Sequence, residues 1–305
     1  MTKVFIDGSA GTTGLRIYDR LKDRRDMELL ALPEELRKDP DHRRRMLNTA
    51  DIAFLCLPDQ AAVEAVSLIE NDHTAVIDTS TAHRTSEGWT YGFPELSEGH
   101  REAIRTSKRI ANPGCHASGF IAGVYPLVAH GVVPAEFPLT AYSLTGYSGG
   151  GKNLIAEYQA PDRDVRHESH RIYGTNLNHK HLPEMVKVCG LAQAPLFSPI
   201  LGDFYAGMAT SVLLPGFDAT TVWECLSDHY AGQRLVTVAP LGGDESVIYA
   251  STYAGRDTMR IQVSGHESQC MVTAIFDNLG KGASGAAIQN MNILLGFDEA
   301  TGLNL

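Results

Sequence analysis

Apolar residues in the first part of the chain fall into short, nearly continuous runs. Residues 3–8 (KVFIDG), 27–32 (MELLAL), 50–58 (ADIAFLCLP) and 75–80 (AVIDTS) read as parallel strands buried on both faces. Between them, TTGLRIYDRLKDR and DQAAVEAVSLIEN repeat their apolar residues at helical spacing. Such β-α alternation predicts a doubly wound parallel sheet with right-handed crossovers. Past about Gly131 the texture changes. LTAYSLTGYSG, APLFSPILGDFYAGMATSVLLP, LVTVAPLG and TMRIQVSGHESQCMVTAIFDN read as longer strands of antiparallel type. TTVWECLSDHYAG and HLPEMVKVCGL supply helices on one face, and the tail KGASGAAIQNMNILLGF returns to a helical pattern. The expectation is an α/β protein: a Rossmann-like dinucleotide-binding domain over residues 1–114, with the terminal helix of 281–305 packing back on it, and an α+β domain over residues 115–280.

Composition narrows the function. The 305 residues suit two domains, and a formal net charge of -10 disfavours nucleic acid or an anionic membrane as partner. The longest apolar stretch, ASGFIAGVYPLVAHGVVP, is interrupted by Pro126 and His130 and is too short for a bilayer. MTKVFIDGSAG enters a strand at once and reads as neither signal nor transit peptide. The five cysteines are scattered and form no CxxC pair, so neither a disulfide framework nor a zinc ribbon is expected. A reduced cytoplasm is the expected compartment.

Gly8-Ser9-Ala10-Gly11-Thr12-Thr13-Gly14 follows the first strand and opens a helix. Glycines there let the backbone approach a pyrophosphate, whose charge the amides of the helix N-terminus stabilise. Glu34 or Glu35 would take the ribose hydroxyl of NAD. Arg37, Lys38 or the run Arg43-Arg44-Arg45 would meet the 2′-phosphate of NADP. Position in the sequence does not choose between them.

RIANPGCHASGF, residues 109–120, reads as a strand that breaks at Asn112-Pro113-Gly114 and turns into a helix at His116, running to about Ala129. Cys115 sits at that turn, where unpaired amides and the helix dipole favour a thiolate. The other four cysteines lie within apolar segments and read as small buried hydrophobes. A thiol nucleophile needs a base, and Asn178-His179-Lys180-His181-Leu182-Pro183-Glu184 offers two histidines where a helix begins. They would also suit a metal, but no matching ligand set lies nearby, so no metal is expected. A cysteine nucleophile beside a dinucleotide domain points to phosphorylating aldehyde dehydrogenase chemistry.

Ala111-Asn-Pro-Gly-Cys115-His-Ala-Ser-Gly-Phe-Ile-Ala-Gly-Val-Tyr-Pro126, YGFPEL (91–96), NHKHLPEM and KGASGAAIQNMN together resemble the N-acetyl-gamma-glutamyl-phosphate reductases, in the family's order and in its compact, second form. The sequence departs at His116 and Ser118, where the family usually has an aromatic residue and threonine. The resemblance implies a glyceraldehyde-phosphate-dehydrogenase-like catalytic and oligomerisation domain, NADP as cofactor, and a dimer or tetramer. It implies that Cys115 attacks the acyl phosphate, with His181 favoured over His179 as acid and base. It places the chain in arginine biosynthesis; transient contact with the upstream kinase is a further expectation, which the sequence itself does not show.

Further cofactor contacts are expected from Cys56, Leu57, Pro58, Ser80, Gly150 and Gln289 or Asn290. Arg84, Asn112 and Lys152 are expected to meet substrate. Aspartate-semialdehyde dehydrogenase and the aminoadipate-pathway reductase share the chemistry and remain open. A cysteine hydrolase would leave the glycine loop unexplained, and a non-catalytic dinucleotide sensor would have no need of the helix-start thiol.

Overall fold

Val4 and Ile6 pack on one side of the first sheet and Phe5 on the other. Ile52 and Phe54 against Ala53 and Leu55 repeat the division. This two-sided burial is why these runs are continuously apolar. The computed structural model describes residues 1–243 and 246–305. Its first unit comprises residues 1–114 and 283–303. The elements run β1 (Thr2–Asp7), α1 (Thr12–Leu21), β2 (Met27–Leu30), α2 (Pro40–Thr49), β3 (Ile52–Leu55), α3 (Asp59–Ser67), β4 (Ala75–Asp78), β5 (Thr90–Tyr91), α4 (Glu98–Thr106) and β6 (Arg109–Ala111). The sheet order is β2-β1-β3-β4-β6-β5, and every pairing is parallel. The terminal helix Gly285–Leu294 belongs to this unit, where Ile288 and Met291 join the core with Ile17, Phe54 and Ile110.

Two helices of this unit carry little hydrophobic signal. In α2 only Arg43 and Leu47 are buried. Its start is fixed instead by Asp39, which accepts from the Asp41 and His42 amides, and by Pro40 in the first turn. In α4 only Ile104 is buried, and Ser97 caps the helix by accepting from the His100 amide.

The second unit, residues 115–282 with 304–305, opens with α5 (Cys115–Ala129). It continues through β7 (Thr140–Gly146), α6 (Gly151–Gln159), β8 (Arg171–Ile172), α7 (Leu182–Cys189), β9 (Leu196–Gly202), β10 (Met208–Pro215), α8 (Ala219–His229), β11 (Val236–Val238), β12 (Met259–His266) and β13 (Gln269–Phe276). Its sheet runs β11-β12-β13-β10-β7-β9-β8. β10 pairs antiparallel with β7 and β13, as do β12 with β13 and β8 with β9, in line with expectation, but β7 pairs with β9, and β11 with β12, in parallel. A parallel partner requires a crossover, and the β7–β9 connection carries α6, β8 and α7.

Helix α5 lies against β10 and β13, with α7 and α8 alongside. Close approach depends on Gly119, where a Cβ would stand 2.6 Å from Thr210 and 2.8 Å from Phe276. Pro126 inside the helix cannot bond the Ala122 carbonyl. The Tyr230 hydroxyl donates to that carbonyl instead, at 2.8 Å.

Candidate active site

In the first unit the turn after β1 is built for close backbone contact. Gly8 has φ +86°, and a Cβ there would meet the Cys56 carbonyl oxygen at 2.2 Å. A Cβ on Gly14 would meet the Gly8 oxygen at 2.4 Å. The Gly11 amide donates to the Gly8 carbonyl at 2.9 Å, closing the turn. Helix α1 then begins with Gly11 as N-cap, with no side-chain cap and no acidic residue in its first turn. The Thr12 hydroxyl oxygen is buried without a hydrogen-bond partner. An anion-seeking helix end beside an unsatisfied hydroxyl fits a dinucleotide pyrophosphate. Ser9, Ala10 and Thr13 lie in this turn or first helical turn.

Cys56, Leu57 and Pro58 follow β3 at its carboxyl end, and the Cys56 amide donates to the Asp7 carbonyl at 2.8 Å. Burial pushes the Cys56 thiol up to about 12. Beyond β4, the Ser80 hydroxyl donates to Asp78 at 2.7 Å, and His83 Nδ1 lies 2.6 Å from the same carboxylate with its ring stacked on Trp89. Ser80 is therefore turned inward, and its side chain holds the loop.

Several residues expected to meet ligand also bond within the protein. Arg84 Nε donates to the Asn112 carbonyl at 2.9 Å and Nη2 to the Thr79 carbonyl at 3.0 Å, which ties the ends of β4 and β6. Asn112 donates to the Ala283 carbonyl at 3.0 Å and accepts from Asn290 at 3.2 Å. Asn290 also donates to the Gly92 carbonyl, and Gln289 to Glu95 and Glu299. Asn112, Gln289 and Asn290 are 1% exposed or less, so these amides fasten the terminal helix to its unit. Arg43 is likewise buried, against Asp7 at 3.0 Å, and Arg44 faces Asp41 and Glu70. Arg37, Lys38 and Arg45 are exposed. Desolvation raises the Asp7 pKa, opposed by Arg43.

In the second unit Cys115 is the first residue of α5, one position earlier than the sequence pattern predicts. Gly282 lets the chain pass close to it, since a Cβ there would stand 3.1 Å from the Cys115 Cβ. Three imidazoles gather here. Ring centroids are 4.7 Å apart for His179 and His181, 5.2 Å for His116 and His179, and 5.7 Å for His116 and His181. His181 is buried at the start of α7, and its amide donates to His179 Nδ1 at 3.2 Å, so a neutral His179 carries its proton on Nε2. His116 is 3% exposed, with Nδ1 2.7 Å from Ser143 Oγ and Nε2 2.6 Å from the Tyr173 hydroxyl. Burial, reinforced by His179 and Lys180, pulls its pKa down to about 3. Burial also raises the Tyr173 phenol, and the charge of Cys115 acts in the same direction.

The sequence reading missed Tyr173 and Ser143. Tyr173 stands six positions before His179 in a segment with no periodicity, and only the unusual histidine after Cys115 pointed that way. Lys152 is exposed in the first turn of α6. Gly150 precedes that helix, and a Cβ there would stand 2.1 Å from Leu154. Among the described residues no cluster of three or more His, Cys, Asp or Glu could hold a metal, and no helix is long and apolar enough to cross a membrane.

Residues 3–107 match the family model of the semialdehyde dehydrogenase NAD binding domain, and residues 115–278 that of the semialdehyde dehydrogenase dimerisation domain. N-acetyl-gamma-glutamyl-phosphate reductase 2 of Nostoc sp. is 44% identical over 99% of each chain. The N-acetyl-gamma-glutamyl-phosphate reductase of Chelativorans sp. is 48% identical over 96% of this chain and 98% of its own. Among solved structures, aspartate semialdehyde dehydrogenase II complexed with ASA from Vibrio cholerae aligns over 97% of this chain and 98% of its own, with a TM-score of 0.73 and 17% identity. Aspartate semialdehyde dehydrogenase with NADP from Candida albicans gives a TM-score of 0.65 at 15% identity, covering 97% and 98%. At such identities the likeness is one of fold.

Proposed function

The chain belongs to the semialdehyde dehydrogenase family, among its N-acetyl-gamma-glutamyl-phosphate reductases, and from that premise we propose how its residues perform the reaction. The substrate is N-acetyl-γ-glutamyl phosphate, and the products are N-acetylglutamate 5-semialdehyde and inorganic phosphate, a step of arginine biosynthesis. The carrying observation is the placement of Cys115 as the first residue of α5 in the unit that gathers His116, His179 and His181.

The Cys115 thiolate attacks the acyl carbon, a C–S bond forms, and the C–O bond to phosphate breaks with its electron pair leaving on phosphate. When bound, the dinucleotide would supply the hydride that reduces the Cys115 thioester. His181, with His179 as the alternative, takes the thiol proton in the first step and protonates the oxyanion of the thiohemiacetal. Backbone amides at the start of α5 stabilise that oxyanion. Collapse of the thiohemiacetal, with its hydroxyl proton returned to histidine, releases aldehyde and restores the thiolate.

The turn from Gly8 to Gly14 would hold the pyrophosphate, with Thr12 giving its buried hydroxyl. Cys56-Leu57-Pro58, and the backbone at Ser80, would border the cofactor. We assign NADP, supported by the family resemblance and by exposed Arg37 and Lys38 after β2. Lys152 would neutralise substrate phosphate or carboxylate. The matched dimerisation domain supports a homo-oligomer, dimer or tetramer. Cytoplasmic location and hand-over of the labile acyl phosphate by the upstream kinase complete the reading.

The test runs in the reverse direction. Protein, NADP or NAD, phosphate and N-acetylglutamate semialdehyde are mixed and the reduced nicotinamide followed, with aspartate semialdehyde in a parallel arm. We expect phosphate-dependent activity with the acetylated aldehyde and NADP, lost by at least about a thousandfold in Cys115→Ser. Preference for aspartate semialdehyde would overturn the substrate assignment, and an active Cys115→Ser the mechanism.

A further inference from the structure

Behind the first turn of α5 runs a line of four side chains that the steps above leave unused. Thr210 Oγ1 and Ser143 Oγ, directly opposite each other on β10 and β7, are 2.8 Å apart. Ser143 Oγ is 2.7 Å from His116 Nδ1, and His116 Nε2 is 2.6 Å from the Tyr173 hydroxyl. Thr210 and Ser143 are fully buried and His116 nearly so, whereas Tyr173 is half-buried and borders the His179 ring, with centroids 6.1 Å apart. The line thus starts inside the sheet and surfaces at the histidine cluster.

Such a line has two polarities. In the inward one Tyr173 donates to His116 Nε2, and its proton is used up. In the outward one Thr210 donates to Ser143, Ser143 to Nδ1 and Nε2–H to the Tyr173 oxygen, leaving the phenolic proton for a further acceptor. A thiolate at Cys115 favours the outward polarity, because donors aligned toward an anion lower its energy and reinforce one another. The phenol keeps its proton beside that thiolate, and His116 stays neutral with its proton on one nitrogen.

We propose that His116 is a positioning residue acting through Tyr173. The Thr210–Ser143 pair fixes His116 as the Nε2–H tautomer, and this aims the Tyr173 hydroxyl at the thiolate of Cys115. The proposal rests on Cys115 being the nucleophile, so its test reads the thiol directly.

The measurement is the pH dependence of Cys115 alkylation by iodoacetamide in the full-length protein without substrate, with the labelled peptide identified by mass spectrometry. Tyr173→Phe is expected to raise the thiol pKa by roughly one unit, and His116→Phe to do the same. His116→Gln, whose amide N–H reaches the Nε2 position, should restore most of the shift. Ser143→Ala, three side chains from the sulfur, should raise the pKa in the same direction. Its long-range nitrogen–proton NMR spectrum should show His116 leaving the Nε2–H form that the wild type holds. In turnover, kcat should fall in these variants with KM for the aldehyde unchanged.

An unchanged thiol pKa in Tyr173→Phe and Ser143→Ala, or an Nδ1–H tautomer in the wild type, would overturn the relay while the reductase reading stands. Retained turnover in Cys115→Ser would overturn both.

Discussion

The His116 imidazole, held near pKa 3 in the folded chain, takes up a proton on unfolding between about pH 3 and its ordinary 6.5. Its contribution to stability is therefore complete above about pH 6.5 and is lost as the pH falls toward 3, with a slope of about 1.4 kcal/mol per pH unit for one proton. Urea unfolding of the wild type and His116→Phe between pH 7 and 4 should show a shallower slope in the variant. Equal slopes would mean that His116 is not buried neutral. Other residue roles are equally local. Cys115 was legible in the sequence because Pro-Gly before it and a helix after it are short-range features. An arginine and an asparagine near strand ends suit ligand contact, which is what the sequence predicts for Arg84 and Asn112. Folding sets backbone carbonyls against the guanidinium and places Ala283 and Asn290 against the amide.

Within the elements, α5 shows how packing repairs a local fault. Pro126 leaves the Ala122 carbonyl without its helical donor, and Tyr230, at the end of α8, supplies one. Tyr230→Phe keeps the ring and deletes the donor, so it should cost about 1–3 kcal/mol of stability, read as a lower urea midpoint with unchanged m-value. An unchanged midpoint would show that the carbonyl has another partner. Gly119 is the matching case, tolerating no Cβ against Thr210 and Phe276. Helix α2 shows the opposite situation, in which capping by Asp39 and Pro40 rather than an apolar stripe sets the start, so hydrophobic periodicity passes it over. The parallel pairings of β7 with β9 and β11 with β12 were illegible for a related reason. Alternation along a strand reports which faces are buried, not the direction of the neighbour.

At the scale of the whole molecule, the first unit is closed by a segment that the chain delivers after completing nearly all of the second. Ile288, in that terminal helix, is 0% exposed and lies in the core beside Phe54 and Ile77. Ile288→Ala should lower stability by about 2–5 kcal/mol, and a chain ending at Gly282 should not hold the first unit folded. Thermal unfolding followed by circular dichroism checks both, and a truncated chain melting like the full one would refute the second. The sequence by itself determined the β-α alternation, the glycine turn, the thiol at a helix start and the family, because each is written within a few neighbouring residues. Only the tertiary structure decided that His116, Ser143, Tyr173 and Thr210 form one line and that Gln289 and Asn290 bond Glu95 and Gly92. Those partners lie tens to hundreds of positions apart, and hydrogen bonds between them follow from how strands and helices stack, which local pattern does not encode.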